Sequence, residues 1–308
     1  MIQISERDKE FLLVVNETGA CNSKLPLTIY PKRYCRSRLE LMEKEKIVNR
    51  KYGLIMLGME GKNYLESIGV IPKTLDNLQI VSQRRLARVT ELKYLLPEMK
   101  VVTSAQYKKE KQMNRGMQFV AATTTKNNST YLIYDVPKRL TIGTQTQLLK
   151  ELRNKKESIM RAIIFTRNKD FVQVVTSAKV HIEEFLLLPP NDLFVNLINI
   201  MAEGDFDRSV IGAAFPNLIE DKIFSKKRSQ YIIGGNACIN MVLNNVSIFD
   251  MLSKLDVEDV KNDNFVQIYH IVCLDIQKRF LLSKIESLKL KKLNIQIKTI
   301  VEGESTFY

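Results

Sequence analysis

Two short apolar runs around a basic turn follow a helix-like segment near the N-terminus. In that segment, Cys35, Leu39 and Met42 recur at the spacing that places them on one side of an α-helix. Pro31 precedes them, and its fixed φ suits the start of a helix. Residues 47–58 then read Ile-Val-Asn-Arg-Lys-Tyr-Gly followed by Leu-Ile-Met-Leu-Gly, which predicts two short strands. We therefore expect a helix that leads into a β-hairpin.

Further helices are predicted on both sides of this unit. Ser5 followed three residues later by Asp8 resembles a capping box and predicts the start of a first helix. A short second helix is expected at residues 22–27, and another closes the unit at residues 60–68. Three helices followed by a β-hairpin is the order of a winged helix-turn-helix, so we expect such a domain at residues 1–78.

The predicted third helix begins with several cations and no acid. The N-terminal residues of such a helix meet base edges in the major groove, and the hairpin can reach phosphates or the minor groove. A net charge of +13 also favours polyanionic partners, although basic clusters such as residues 289–292 also occur on solvated helix faces. A winged helix used only for protein contacts is the alternative reading. The residues predicted to contact DNA are Lys32, Arg33, Arg36 and Ser37 on the helix, Arg50 and Lys51 at the hairpin tip, and Arg84 and Arg88 on a following helix.

The run IVNRKYGLIMLGMEGKNYLESIG resembles the replication-relaxation family of plasmid and mobile-element proteins. Leu57, Gly61 and Leu65 match the family's Leu-(Thr)-x-x-Gly-x-x-x-Leu pattern, and Gly58 stands where the family usually has Thr. Downstream, STYLIYDVPKR, TQTQLLKELRN, AIIFTRN and EEFLLLPPNDLF follow the family's order of a strand ending in Asp, a helix, a strand and a late apolar strand. The resemblance covers about residues 5–200. It implies a winged helix joined to a domain similar to the restriction-endonuclease fold.

The rest of the chain predicts further mixed structure, so the expected fold class is α+β. Residues 79–204 alternate strands and helices, which indicates an α/β layer and corresponds to the degenerate restriction-endonuclease-like domain that the resemblance implies. Residues 205–308 are expected to form a C-terminal α/β extension or a third lobe. There, we expect a hairpin from residues 231–239 and 244–252, with Gly234-Gly235-Asn236 as a turn and not as a phosphate loop.

Catalytic chemistry has little support in the sequence. Members of the resembled family commonly carry an acid just ahead of the strand-end Asp, but Ile133 and Tyr134 precede Asp135 here. Metal-dependent cleavage of a phosphodiester requires two or three carboxylates around Mg²⁺ and a cation. The remaining candidates are Asp135, Glu91 and Lys150. We therefore expect no enzyme activity, no cofactor and no metal; the histidines, His181 and His270, have no Cys or His at ligand spacing.

These features together predict a sequence-specific double-stranded DNA-binding protein of a plasmid or other mobile element, acting in replication initiation, conjugative transfer or copy control. A transcriptional regulator with an effector-binding C-terminal region is a first alternative, and a metal-dependent nuclease is a second. Expected partners are double-stranded DNA and replication or transfer proteins, with a homodimer left open. A cytoplasmic protein without membrane segments is expected, because no apolar run reaches about 18 residues and the four cysteines lack paired spacing.

Overall fold

The computed structural model describes residues 2–75, 77–154, 159–178, 180–216, 231–233, 236–257 and 268–300. The chain has a mixed α+β fold with several sheets, which confirms the predicted class. It divides into two compact units: a first unit of residues 1–111 and 120–122, and a second unit of residues 112–119 and 123–308. Within the described parts of the chain, no helix is long and apolar enough to cross a membrane.

The first unit begins with helices around a small sheet. Its strands pair in the order β1-β3-β2, and both pairings are antiparallel. The helices pack their apolar sides on this sheet, burying Phe11, Leu39, Met42 and Leu65 in one core. The elements are α1 (Glu6–Asn16), β1 (Ala20–Asn22), α2 (Pro26–Ile29), α3 (Lys32–Lys44), β2 (Val48–Lys51), β3 (Leu54–Leu57), α4 (Met59–Ser67), α5 (Ile80–Leu95), β4 (Lys100–Thr103) and α6 (Ser104–Glu110).

The connection between α1 and α3 differs from the prediction of a helix at residues 22–27. Residues 20–22 form β1, whose backbone pairs with β3, with Cys21 opposite Ile55. The helix α2 has only four residues and begins at Pro26, which lacks the backbone N–H that a mid-helix position would need. The other predicted elements of this unit, including the third helix and the hairpin, are confirmed.

The first unit extends past the predicted boundary at residue 78. The Thr18 hydroxyl hydrogen-bonds with Thr90 of α5 at 2.6 Å and donates to the Leu86 carbonyl at 2.8 Å. The Lys93 ammonium lies 2.6 Å from the Glu17 carboxylate. These contacts attach α5 to the end of α1 and the turn before β1, so α5 belongs to the first unit.

The second unit contains two groups of parallel strands. β6, β7 and β8 are parallel and adjacent, and β10, β11 and β12 form a second parallel set with β9 antiparallel to β10. The strand β5 (Ala121–Thr124) lies where the chain passes from the first unit to the second. It is followed by β6 (Thr130–Val136), α7 (Ile142–Leu152), β7 (Arg161–Thr166), α8 (Lys169–Ser177), β8 (Glu184–Leu188), α9 (Asp192–Glu203), α10 (Phe206–Ala214), β9 (Tyr231–Ile233), β10 (Asn236–Asn240), α11 (Ser247–Val257), β11 (Tyr269–Leu274), α12 (Lys278–Leu288) and β12 (Ile295–Ile300).

The predicted pairing of residues 231–239 with residues 244–252 is wrong. Residues 247–257 form α11, because Ile248, Phe249 and Leu252 bury one side of a helix. β10 pairs instead with β9 and β11. The predicted turn residues Gly234 and Gly235 lie outside the described residues.

Candidate nucleic-acid interface

The helix α3 presents a basic side that is distinct from its buried side. Cys35, Leu39 and Met42 are buried, as their spacing predicts. The predicted contact residues on the opposite side are all exposed; they are Lys32, Arg33, Arg36 and Ser37. The first turn holds no acid, and the N-cap residue, Pro31, provides no side-chain hydrogen bond to its backbone N–H groups. Because the N-terminus of a helix carries partial positive charge, this end of α3 favours an anion.

The exposed residues of α3 differ in how they are engaged. Arg36 Nε lies 3.0 Å from Glu40 Oε1, in an ion pair whose arginine side chain is 89% exposed. The Ser37 hydroxyl donates to the Tyr34 carbonyl at 3.0 Å. Neither Lys32 nor Arg33 forms an ion pair with a described residue. Exposed pairs on a helix contribute only about 0.3–0.5 kcal/mol, so Arg36 can exchange Glu40 for another acceptor at small cost.

The hairpin turn consists of Tyr52 and Gly53, whose φ values are +56° and +79°. Two positive φ values in a two-residue turn are typical of type I′, the turn that matches strand twist. Arg50 and Lys51, predicted at the tip, lie instead at the end of β2. Arg50 Nε lies 2.8 Å from Glu43 Oε2, and the Lys51 ammonium lies 5.0 Å from the centre of the Tyr52 ring.

Two exposed tyrosines lie beside the predicted cations and were missed from the sequence. Tyr34 on α3 is 46% exposed, and Tyr52 at the turn is 65% exposed. Tyr52 could have been noticed in the sequence, because it stands before Gly between two strand-like runs. That place is a tight turn with positive φ, a conformation that bulky residues seldom adopt. Both side chains could donate a hydroxyl hydrogen to phosphate.

A buried ionic cluster fixes α3 against α1. Arg38 donates from Nε to Asp8 Oδ1 at 3.0 Å, and a second guanidinium nitrogen donates to Asp8 Oδ2. The Tyr30 hydroxyl donates to Asp8 Oδ1 at 2.9 Å, and Ser5 completes the predicted capping box. Burial opposes ionisation of Asp8, but the hydrogen bonds from Arg38, Ser5 and Tyr30 together lower its pKa below the usual value. Arg38, although part of a basic run, therefore supports the fold and does not face solvent.

The two cations predicted on α5 have different surroundings. Arg84 is exposed. Arg88 is mostly buried, and its guanidinium donates to Glu91 Oε2 at 2.9 Å. Glu91 lies about one turn further along the same helix. Arg88 is therefore ion-paired within its own helix and is not the exposed cation that we predicted.

The three catalytic candidates are divided between the two units. Glu91 is buried in the first unit, whereas Asp135 and Lys150 are exposed in the second unit, on β6 and α7. Among the residues that the structure describes, no group of three His, Cys, Asp or Glu side chains could hold a metal ion.

The chain was also compared with known proteins in three ways. A scan against protein-family models, a search of curated proteins and a search of solved structures each found no match. The resemblance to the replication-relaxation family therefore depends on residues 47–69, from β2 to α4, and on the order of the elements that follow.

Proposed function

We propose that the chain is a sequence-specific double-stranded DNA-binding protein whose first unit acts as a winged helix-turn-helix. In this proposal α3 is the recognition helix and the β2–β3 hairpin is the wing. The observation that carries it is the basic, acid-free N-terminal end of α3, exposed opposite the buried side of the same helix. The strand β1 beside the hairpin is compatible with such a domain, because it extends the same small sheet.

The proposed contacts divide into base recognition and phosphate contacts. Arginine pairs in a bidentate manner with guanine in the major groove, so Arg33 and Arg36 are assigned to bases. Lys32, at the first position of the helix, is assigned to the backbone. Lys51 and Tyr52 at the wing are assigned to phosphates, which position a protein without reading sequence.

The biological setting that we propose is a plasmid or other mobile element, with a role in replication initiation, conjugative transfer or copy control. The resemblance at residues 47–69 and the order of elements from β6 to β8 support this setting. In the same proposal the second unit is a degenerate relative of the restriction-endonuclease fold. Footprinting on the host element distinguishes this role from transcriptional regulation, because the site would lie in an origin or transfer region and not in a promoter.

Arg33→Ala is expected to weaken binding to the preferred duplex by about 1–3 kcal/mol and to relax preference at one base pair. The preferred site is first selected from random duplexes with the full chain, and dissociation constants are then measured for it and for random DNA. Lys44→Ala is the matched control, since Lys44 is an exposed cation of the same helix about 16 Å further along its axis. Equal losses for both variants on both duplexes would contradict the assignment of α3.

Asp135→Ala is expected to leave DNA binding intact. Neither the variant nor the wild type is expected to cleave DNA strands, because the chain is proposed to lack a complete metal site. Supercoiled plasmid is incubated with the full chain and Mg²⁺ or Mn²⁺, and nicking is followed on gels. Nicking by the wild type that disappears in Asp135→Ala would instead support the alternative function of a metal-dependent nuclease.

A further inference from the structure

The loops after β6, β7 and β8 meet at one edge of the second unit. Val136 at the end of β6 is in register with Thr166 at the end of β7, and Phe165 is in register with Leu188 at the end of β8. Neighbouring strands lie about 4.8 Å apart, so the loops that leave these strands begin side by side. In sheets of parallel strands, ligands bind preferentially at this carboxyl edge.

Four exposed cations stand at this edge, three of them on these loops and one at the first position of α8. Lys138 and Arg139 follow β6, and Arg167 and Lys169 follow β7. None of the four forms an ion pair with a carboxylate among the described residues. Arg167 donates to the Pro190 carbonyl at 3.0 Å, which holds its loop against the loop that follows β8. We call these four residues the edge cations.

A groove between α8 and α12 continues from the edge cations. Its volume is about 720 Å³, and it is lined by Arg167, Lys169 and Lys284 together with threonine, serine and apolar side chains, including Val172 and Phe280. Lys284 is half-buried, and burial lowers its pKa. The acids at this edge are Asp135 and, in the first turns of α8 and α9, Asp170 and Asp192, where a negative charge stabilises a helix N-terminus. Among these described residues, the four edge cations and Lys284 outnumber the three acids, which are themselves exposed.

We propose that the edge cations form a second contact surface for the phosphate backbone of nucleic acid. Exposed cations that form no ion pair with a described carboxylate and that stand side by side at one edge suit an extended polyanion better than a small enclosed anion, because each can neutralise a separate phosphate. The identity of the partner as nucleic acid rests on the function proposed above. The surface differs from the arginines of α5, which belong to the first unit.

The test compares the full-length Lys138→Ala/Arg139→Ala variant with wild type on a random-sequence duplex over a salt titration. Each phosphate contact adds about −0.9 to the slope of log K against log salt, so losing two contacts should reduce the slope by about 2 and weaken binding at 0.1 M salt about tenfold or more. Lys291→Ala/Lys292→Ala is the control, since it removes the same charge from two exposed residues that follow α12. Arg167→Ala/Lys169→Ala should repeat the effect of the first variant.

The outcomes separate this inference from the proposed function. If both edge variants match the control while Arg33→Ala still weakens binding, the inference is overturned and the α3 interface stands. If the edge variants show a smaller slope of log K against log salt while Arg33→Ala binds as the wild type does, the edge contact stands and the α3 interface fails. Far-ultraviolet circular dichroism checks that the variants keep the wild-type helix content.

Discussion

Asp8→Ala is expected to destabilise the first unit by about 3–5 kcal/mol, because it leaves the buried Arg38 guanidinium without its carboxylate. Asp8 is fully buried, and its oxygens accept from Arg38, Tyr30 and Ser5. The substitution therefore removes the partner of a buried charge and the cap of α1 at once. Hydrogen exchange measured on peptides of the first unit is the suitable readout, since two compact units need not unfold together.

Glu40→Ala is the matched control for this prediction. It removes the partner of Arg36, an exposed arginine on the same helix, and should change stability by about 0.5 kcal/mol or less. Similar stability of the Asp8→Ala and Glu40→Ala proteins would show that the buried cluster does not hold α3.

The same cluster predicts the pH dependence of the first unit. The pKa of Asp8 is below its usual value of about 3.9 in the folded state, so its ionised form stabilises the fold. That contribution is complete above the unfolded pKa and is lost as the pH falls through the lower folded pKa. Wild type should therefore lose stability below about pH 4, and Asp8→Asn should lack this component.

Gly61→Ala is expected to destabilise the first unit by about 1–3 kcal/mol, although alanine favours helices more than glycine does. A Cβ at residue 61 would lie 2.2 Å from the Ile47 carbonyl oxygen, a backbone atom that can yield only if the chain between α3 and β2 moves. α4 packs against this chain, and Glu60 donates its backbone N–H to the Lys46 carbonyl at 3.0 Å. The substitution should therefore displace α4 from the base of the hairpin.

Gly143→Ala provides the control, because Gly143 is also helical and nothing lies within 4 Å of its added Cβ. That change should be neutral or stabilise the second unit by up to about 1 kcal/mol. Gly61→Ala should thus lower the free energy of unfolding and Gly143→Ala should not, and chemical denaturation together with hydrogen exchange in each unit measures both. A stabilised Gly61→Ala protein would refute the close approach of α4.

The parts of the fold that sequence could predict are those in which local pattern and packing agree. The apolar spacing of Cys35, Leu39 and Met42 describes the buried side of α3, and the tight turn of Tyr52-Gly53 separates two strand-like runs. Local residues determine each of these features.

The features that sequence could not predict depend on distant partners. Arg36 and Arg38 are neighbours in one basic run, yet only Arg38 meets a buried acid, thirty residues away in the chain. The pairing of Arg88 with Glu91, by contrast, follows the i, i+3 spacing of one helix and could have been read from the sequence. β1 is a strand because it finds β3, and its three residues carry little pattern of their own.

The separation of roles along α3 also bears on how such a protein could acquire a new target. Arg38 is bound to Asp8, and Leu39 and Met42 fill the core, whereas Lys32, Arg33 and Ser37 contribute nothing to these contacts. Substitutions at the exposed positions can therefore accumulate without lowering stability. On the proposed function, a duplicated or horizontally transferred copy could change its DNA site through a few surface residues while its scaffold stayed constant, and the same positions are the ones to randomise in an engineered library.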